Sequence, residues 1–320
     1  MKIIEQLNKL PIISGEYLVL PSIERPFFII PMTSNLAFKK AIRFIKPKNN
    51  YGWVKKIVLR ALPFVLIRFI FHTIRVSTKF TAESTQLILP WNQDFENKFV
   101  IFNLSDEPSI IKIGFNYASK LIQNEHKVIA TYFNNNEIFP KIINYQLNED
   151  YSILETAFYK GNHPNVLPQS IIDFFNLKYN NCKSVDFNDH PYINEMMKLI
   201  FEKLDTNKTT LNWLSEYALK FKDEKIFISF MHGDCTATNI ISSGKKNILI
   251  DWEECIEDGI PIDIFYFNFR KQIDEGFQWE IKGIVDFLVV LHYIYFQCRY
   301  DNVQTIDFII LNNEFVSVNK

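Results

Sequence analysis

The chain has 320 residues, a formal net charge of −1 and 48% hydrophobic content. That hydrophobic share excludes a largely disordered protein, and the balanced charge argues against a nucleic-acid binder, a class with a basic surplus. Its length suffices for two packed lobes with a cleft between them. The N-terminal stretch MKIIEQLNKLPIISGEYLVL lacks the charged region, apolar core and small-residue cleavage site of an export signal. Residues 16–20 and 26–31 read as strands, 34–45 as a helix stopped before Pro47, and 51–76 as one or two apolar helices interrupted at Pro63. Lys and Arg cluster between Lys39 and Lys79. Arg60, Pro63, Arg68 and His72 break the most hydrophobic part, 57–74, whereas a spanning helix wants about 20 apolar residues; no span is expected. Two readings of 51–76 stand. One packs it on the small lobe, with arginine stems covering apolar surface. The other lays it on a membrane, where Lys55, Lys56, Arg60, Arg68 and Arg75 meet anionic headgroups. The first is the plainer expectation, because globular proteins commonly contain such helices.

Further along, 85–105 reads as a hairpin connected by 91–98, and 109–114 as a strand carrying Lys112 after the turn Asp106-Glu107-Pro108. From Asn116, the run NYASKLIQNEHKVIATYF has helical spacing, with Glu125 at its middle. Residues 138–143 and 151–156 look like antiparallel strands around the polar turn Asn148-Glu149-Asp150. Helices follow at 168–178, 190–204 and 210–221, with Asp189 and Thr209 as caps. Beyond Asp263 an aromatic-rich region through IVDFLVVLHYIYF also reads as helix.

The chemistry concentrates in 230–263, FMHGDCTATNIISSGKKNILIDWEECIEDGIPID. A carboxylate beside an acceptor hydroxyl can take its proton, while an amide oxygen and a second carboxylate can hold Mg²⁺ against ATP, since hard cations prefer oxygen. Asp234, Asn239 and Asp251 fit those roles in that order. The turn Ser242-Ser243-Gly244-Lys245-Lys246, then the apolar strand Ile248-Leu249-Ile250, folds Asp251 back towards Asn239.

In order, H-G-D-x-x-x-x-N at His232-Gly233-Asp234 and Asn239, I-D-W-E at 250–253 and G-x-P-x-D at 259–263 resemble the aminoglycoside phosphotransferase and choline kinase-like family. The resemblance implies an α+β, bilobal protein kinase-like fold: a small antiparallel-sheet N-lobe over 81–160, a larger, mainly helical C-lobe over 161–320 with the catalytic loop, and residues 1–80 as an N-terminal extension on or near the small lobe. It implies Asp234 as catalytic base, Asn239 and Asp251 as magnesium ligands, His232 as a buttress of the loop, and Asp263 as its support from the next helix. A kinase-like site also needs a lysine for the phosphates and a helix glutamate to hold it, so a Lys112–Glu125 ion pair is expected. The strand at 151–156 resembles the family's hinge, making Glu155, Thr156 and Ala157 the adenine-binding candidates before Gly161 leads into the larger lobe. Nucleotide-binding loops commonly use glycine, yet 87–102 contains none, leaving Asn97 and Lys98 to face the phosphates.

The function expected is ATP- and Mg²⁺-dependent phosphoryl transfer to a hydroxyl of a small molecule, a sugar or amino sugar first. The glycine-free loop keeps a second reading open: a catalytically silent nucleotide-binding protein in a membrane-associated glycan assembly. The extension itself resembles phosphotransferase-like proteins of bacterial surface-polysaccharide clusters. For the acceptor, Glu253, Glu254, Glu257 and Asp258 offer either a lip for a cationic sugar or a solvated charge run, and Tyr266, Asn268, Phe269 and Arg270 are wall candidates. Cys182, Cys235, Cys255 and Cys298 lack metal-site or disulfide spacing, which fits reduced thiols in a cytoplasmic protein, peripheral to the membrane's inner face under the second reading of 51–76.

Overall fold

The computed structural model describes residues 6–8, 15–21, 26–45, 50–71, 73–76, 86–91, 98–132, 137–180, 182–244, 246–300, 306–311 and 314–319. The chain divides into two compact units, Met1–His126 with Lys141–Phe158, and Lys127–Pro140 with Tyr159–Lys320. The first is built on an antiparallel sheet and the second mainly on helices, the α+β make-up that the resemblance implies.

In the first unit β1 (Gly15–Pro21), β2 (Pro26–Pro31), β3 (Thr73–Val76), β4 (Gln86–Trp91), β5 (Lys98–Asn103), β6 (Ser109–Phe115), β7 (Ile142–Leu147) and β8 (Tyr151–Ala157) form one eight-stranded sheet in the order β3-β1-β2-β4-β5-β6-β8-β7. Strands β1, β2 and β3, from the stretch expected as an N-terminal extension, are thus part of this sheet. Side chains alternate between its faces. Tyr17, Val19, Ile29, Ile88, Phe99, Ile101, Ile111, Ile113 and Ile153 build one apolar layer, and Leu18, Ile30 and Leu87 the opposite one. Helices α1 (Asn35–Phe44), α2 (Asn50–Ala61) and α3 (Phe64–Ile70) cover the second layer with Phe38, Ala41, Ile42, Leu59 and Ile67. Ser34 caps α1, accepting from the Ala37 N–H at 3.1 Å.

The register puts Lys112 on that same second face. Leu87 opposes Phe102, Phe102 opposes Ile110, and Lys112 lies two residues on, between Val100 and Leu154. Helix α4 (Tyr117–Tyr132) packs there, pinned by a 2.7 Å bond between the buried Ser119 and Ser152 hydroxyls. The turn into α4 is tight: Asn116 takes a left-handed φ of 53°, and a Cβ on Gly114 would lie 2.4 Å from the Ala118 carbonyl oxygen.

Three expectations shift. Residues 73–76 form an edge strand on β1 instead of continuing a helix, because Thr73-Ile74-Arg75-Val76 has β-branched residues to pair and follows a helix already broken at Pro63. The strand expected at 138–143 begins only at Ile142; Ile138 instead accepts the Leu249 N–H at 2.7 Å, and Phe139 stacks on Trp252 at 4.4 Å, both inside the second unit. The aromatic region after Asp263 is two helices, not one.

The second unit holds α5 (Gln169–Tyr179), α6 (Pro191–Lys203), α7 (Lys208–Phe221), α8 (Asp263–Asp274) and α9 (Ile284–Arg299). Met196, Leu214, Phe221, Phe269, Phe287 and Ile294 are among the residues of the core shared by α6, α7, α8 and α9. The caps move by a few residues: Pro191 opens α6 so that His190 precedes it, and Asn207, not Thr209, accepts from the Thr210 N–H. Short antiparallel pairs frame the helices: β9 (Ser184–Asp186) with β10 (Lys225–Phe227), β11 (Ser229–Met231) with β14 (Ile256–Gly259), and β12 (Ile240–Ser243) with β13 (Lys246–Leu249). Strands 306–311 and 314–319 pair with each other, and the latter also with Trp279–Glu280.

Gly114→Ala drives its Cβ into backbone that cannot yield without moving α4. A loss of about 1–3 kcal/mol is expected, read as a lower melting temperature in circular dichroism.

Candidate active site

Strand β11 delivers His232-Gly233-Asp234 to the first turn of α8, where Asp263 is wholly buried. Its Oδ1 accepts from the His232 N–H at 3.1 Å and the Gly233 N–H at 3.3 Å; its Oδ2 accepts from the same His232 N–H at 3.1 Å and from the Tyr179 hydroxyl at 3.3 Å. Burial pushes the Asp263 pKa up to about 7, against the pull of those donors. The His232 ring bridges two segments. Its Nε2–H donates to the Ile250 carbonyl at 3.0 Å, so Nδ1 is the acceptor for the Asp234 N–H at 3.2 Å. An edge contact with the buried Trp252, centroids 4.5 Å apart, fixes the ring's plane.

Asn239 closes the loop. Its Nδ2 donates to the Asp234 backbone carbonyl at 2.9 Å and to Asp234 Oδ2 at 2.8 Å, which turns its amide oxygen the other way. The β12–β13 hairpin returns the chain in register, Ile240 opposite Leu249, and the Ile250 N–H donates to the Asn239 carbonyl at 2.8 Å. Asp251 therefore follows directly on a residue bonded to Asn239. Its backbone is left-handed, φ 66° and ψ 54°, a conformation rare outside glycine and frequent at functional sites.

Asp234 Oδ1 is buried and has no hydrogen-bond partner. Arg270 Nη1, on α8, lies 3.8 Å away, and the guanidinium also donates to the Tyr266 hydroxyl at 3.3 Å and sits over the Tyr293 ring. Burial raises the Asp234 pKa to about 6; Arg270 works against that rise and Asp251 adds to it. The Asp234 carboxylate, the Asn239 amide oxygen and the Asp251 carboxylate are all oxygen donors, the kind that suits Mg²⁺.

Tyr179, Tyr192 and His292 of this network escaped the sequence. His292, in the middle of α9, donates from Nε2 to the Gly233 carbonyl at 2.6 Å and accepts from the Tyr192 hydroxyl at Nδ1, 2.9 Å. Burial lowers its pKa to about 4, so the ring is neutral, and the Gly233 carbonyl at Nε2 sets the tautomer. Nothing in VVLHYIYF separates such a histidine from one satisfied inside any core. Gly233 needs to be glycine: its φ is +85°, and a Cβ would lie 2.3 Å from the Glu254 carbonyl oxygen.

Several expected acceptor residues are elsewhere engaged. Glu253 and Glu254 are buried, not a solvent-facing lip, and Glu254 binds the Arg299 guanidinium and the Tyr300 hydroxyl. Glu257 pairs with Lys127 at 3.0 Å. Tyr266 and Phe269 are core residues, which removes them as wall candidates, while Arg270 is the one set against Asp234. The Cys235 thiol is fully buried and its pKa raised well above the usual value, the opposite of an activated nucleophile.

In the first unit Lys112 Nζ meets Glu125 Oε2 at 2.7 Å, with the glutamate buried, the ion pair expected from the sequence. Glu155, Thr156 and Ala157 end the interior strand β8; the Glu155 carboxylate accepts from the Ser109 hydroxyl at 2.5 Å, and the Ala157 N–H donates to the Lys141 carbonyl at 2.9 Å. Lys98 opens β5 with its side chain buried, and Asn97 lies outside the described residues.

Neither a family model nor a curated protein matches the chain. Solved structures do. A thermostable mutant of aminoglycoside phosphotransferase APH(4)-Ia, in ternary complex with AMP-PNP and hygromycin B, aligns at a TM-score of 0.41 and 10% identity over 68% of this chain and 88% of that one. A putative fructosamine-3-kinase from Haemophilus somnus aligns at 0.41 and 13% over 68% and 85%. An aminoglycoside-3′-phosphotransferase of type VIII aligns at 0.40 and 10% over 66% and 84%.

Carboxylate-detected NMR should find Asp234 titrating near pH 6. In Arg270→Met its midpoint moves upward, because the nearby positive charge favours the ionised form. His292→Leu strands the Gly233 carbonyl and the Tyr192 hydroxyl in the core. It should cost on the order of 2 kcal/mol, seen as a drop in melting temperature, with Tyr192→Phe milder.

Proposed function

We propose that the protein is a small-molecule kinase that transfers the γ-phosphoryl group of ATP to a hydroxyl of a sugar or amino sugar. The observation that carries this reading is the buried, orphaned Asp234 Oδ1, on a carboxylate whose other oxygen Asn239 already holds. An oxygen so placed is suited to accept the proton of an incoming hydroxyl as it attacks phosphorus. Asp234 must be ionised to do so, and Arg270 supports that form. Asn239 and Asp251 would hold Mg²⁺, which neutralises charge on the phosphates when bound. His232, Asp263 and His292 fix the loop's backbone, so that Asp234 does not reorganise on reaction. In its own unit, Lys112 is an ammonium oriented by Glu125, suited to the phosphates of a nucleotide. Sugar-like acceptors follow from the motif resemblance; with Glu253 and Glu254 turned inward, a cationic acceptor draws no added support from an acidic lip.

Melting temperature should rise with ATP and Mg²⁺, since a ligand selective for the folded state stabilises it. A screen of sugar acceptors with labelled ATP should then detect transfer, reduced roughly 10²–10⁴-fold in Asp234→Asn. Turnover should rise with pH through about 6 as Asp234 loses its proton, and fall below it. Nucleotide binding with no transfer and no Asp234-dependent hydrolysis would assign the silent nucleotide-binding protein instead.

A further inference from the structure

Between Glu24 and Glu83 the chain has twelve Lys and Arg and no Asp or Glu. With the whole chain at −1, the rest of the protein is net acidic, and Lys39, Lys40, Arg43, Lys55, Lys56, Arg60, Arg68 and Arg75 of the basic segment fall on α1, α2, α3 and β3. Their inner faces are spent on the sheet. Their outer faces are not polar: Leu36 on α1, Ile57 and Val58 on α2, and Val65, Leu66 and Ile70 on α3 are all exposed, Ile57, Val65 and Ile70 by 60%, 63% and 60%. A helix facing only water keeps its apolar side chains on the buried stripe; α3, FVLIRFI, has a single polar residue, Arg68. Lys39 and Arg43 on α1 and Arg60 on α2 are exposed as well.

Exposed aliphatic groups mixed with cations define the occupant: α1, α2 and α3 carry no Asp or Glu of their own, and Asp106, 4.0 Å from Lys40 of α1, is a carboxylate set against them from outside. A second copy of the chain would bring the same predominantly basic face against it, and an isologous contact of that kind repels itself. An anionic bilayer supplies what is missing on both counts, phosphate for the guanidinium and ammonium groups and an acyl boundary for the aliphatic ones. Among the described residues no helix is long and apolar enough to cross a membrane. We propose that the outer faces of α1, α2 and α3 seat the protein on an anionic lipid surface, with Leu36, Ile57, Val65, Leu66 and Ile70 entering the headgroup and acyl boundary. Lys56, a headgroup ligand on sequence grounds, takes no part. It turns inward, donates to the Arg43 and Ile45 carbonyls at the end of α1, and burial lowers its pKa. The inference does not depend on the kinase reading.

The test is flotation of the full-length protein with vesicles of neutral phosphatidylcholine, or of phosphatidylcholine with about 30% phosphatidylglycerol, a fraction chosen to give a strongly negative surface. Binding is expected to the anionic vesicles, weakening as salt is raised. Ile57→Ser/Val65→Ser/Ile70→Ser and Lys39→Glu/Arg43→Glu/Arg60→Glu each reduce the partition coefficient by roughly tenfold or more. Because the substituted side chains are exposed, both variants should melt like the parent. Equal binding to neutral vesicles overturns the proposal. So does loss in the charge variant alone, which would leave the aliphatic face uninserted. Vesicle-independent dimerisation in light scattering, abolished by the serine variant, would assign the face to a second copy.

Discussion

The candidate site depends on one buried carboxylate. Asp263 has no exposure to solvent, yet it gathers the backbone N–H groups of His232 and Gly233 and the Tyr179 hydroxyl onto its two oxygens. Those amides stand at the end of β11 and are buried, where an N–H left unpaired is costly. By satisfying them from the first turn of α8, Asp263 ties the loop to the helix whose next turns bring Arg270 beside Asp234. The bond network continues through His232 to Ile250, from Ile250 back to Asn239, and from Asn239 to Asp234. Each link uses a different segment of the second unit, so the loop's shape is a property of the packed unit as a whole.

Desolvation acts on three titratable groups around Gly233 and drives each towards neutrality: Asp234 and Asp263 upward, His292 downward. The consequences differ. In His292 neutrality leaves one N–H, and the Gly233 carbonyl takes it at Nε2. In Asp234 burial competes with the Arg270 charge, so the group is poised within reach of neutral pH, where a general base is effective. Sparse polar groups in a core rich in aromatic side chains produce this: Trp252 and Phe139 stack beside His232, and Tyr266 and Tyr293 flank Arg270.

The first unit distributes its work by sheet face. Strand register puts Lys112 on the face that also receives α1, α2 and α3, and α4 supplies Glu125 to it. The same strands therefore support both an ordered ammonium and the helices whose outer sides remain apolar and basic. A single layer of helix over sheet leaves one helix face uncovered, and the composition of that face, aliphatic and cationic, is what distinguishes it from an ordinary solvated surface.

What the amino-acid sequence determined on its own was local. The spacing of Asp234, Asn239 and Asp251, the hairpin between the last two, the Lys112 strand followed by the Glu125 helix, and the breaks at Pro47 and Pro63 are all encoded within a few tens of residues. Turn chemistry and periodicity act over such distances. Tertiary packing decided the rest. The strand at 73–76 exists because β1 offers it an edge, and Ile138 and Phe139 leave their expected strand for the second unit's core. Glu254 turns inward to Arg299, and Lys56 to the end of α1. His292 acquires its role only because α9 passes behind a glycine 59 residues earlier. Burial and partner choice are set by segments distant in the chain, and the free energy of a charge or a hydrogen bond depends on them more than on its sequence neighbours.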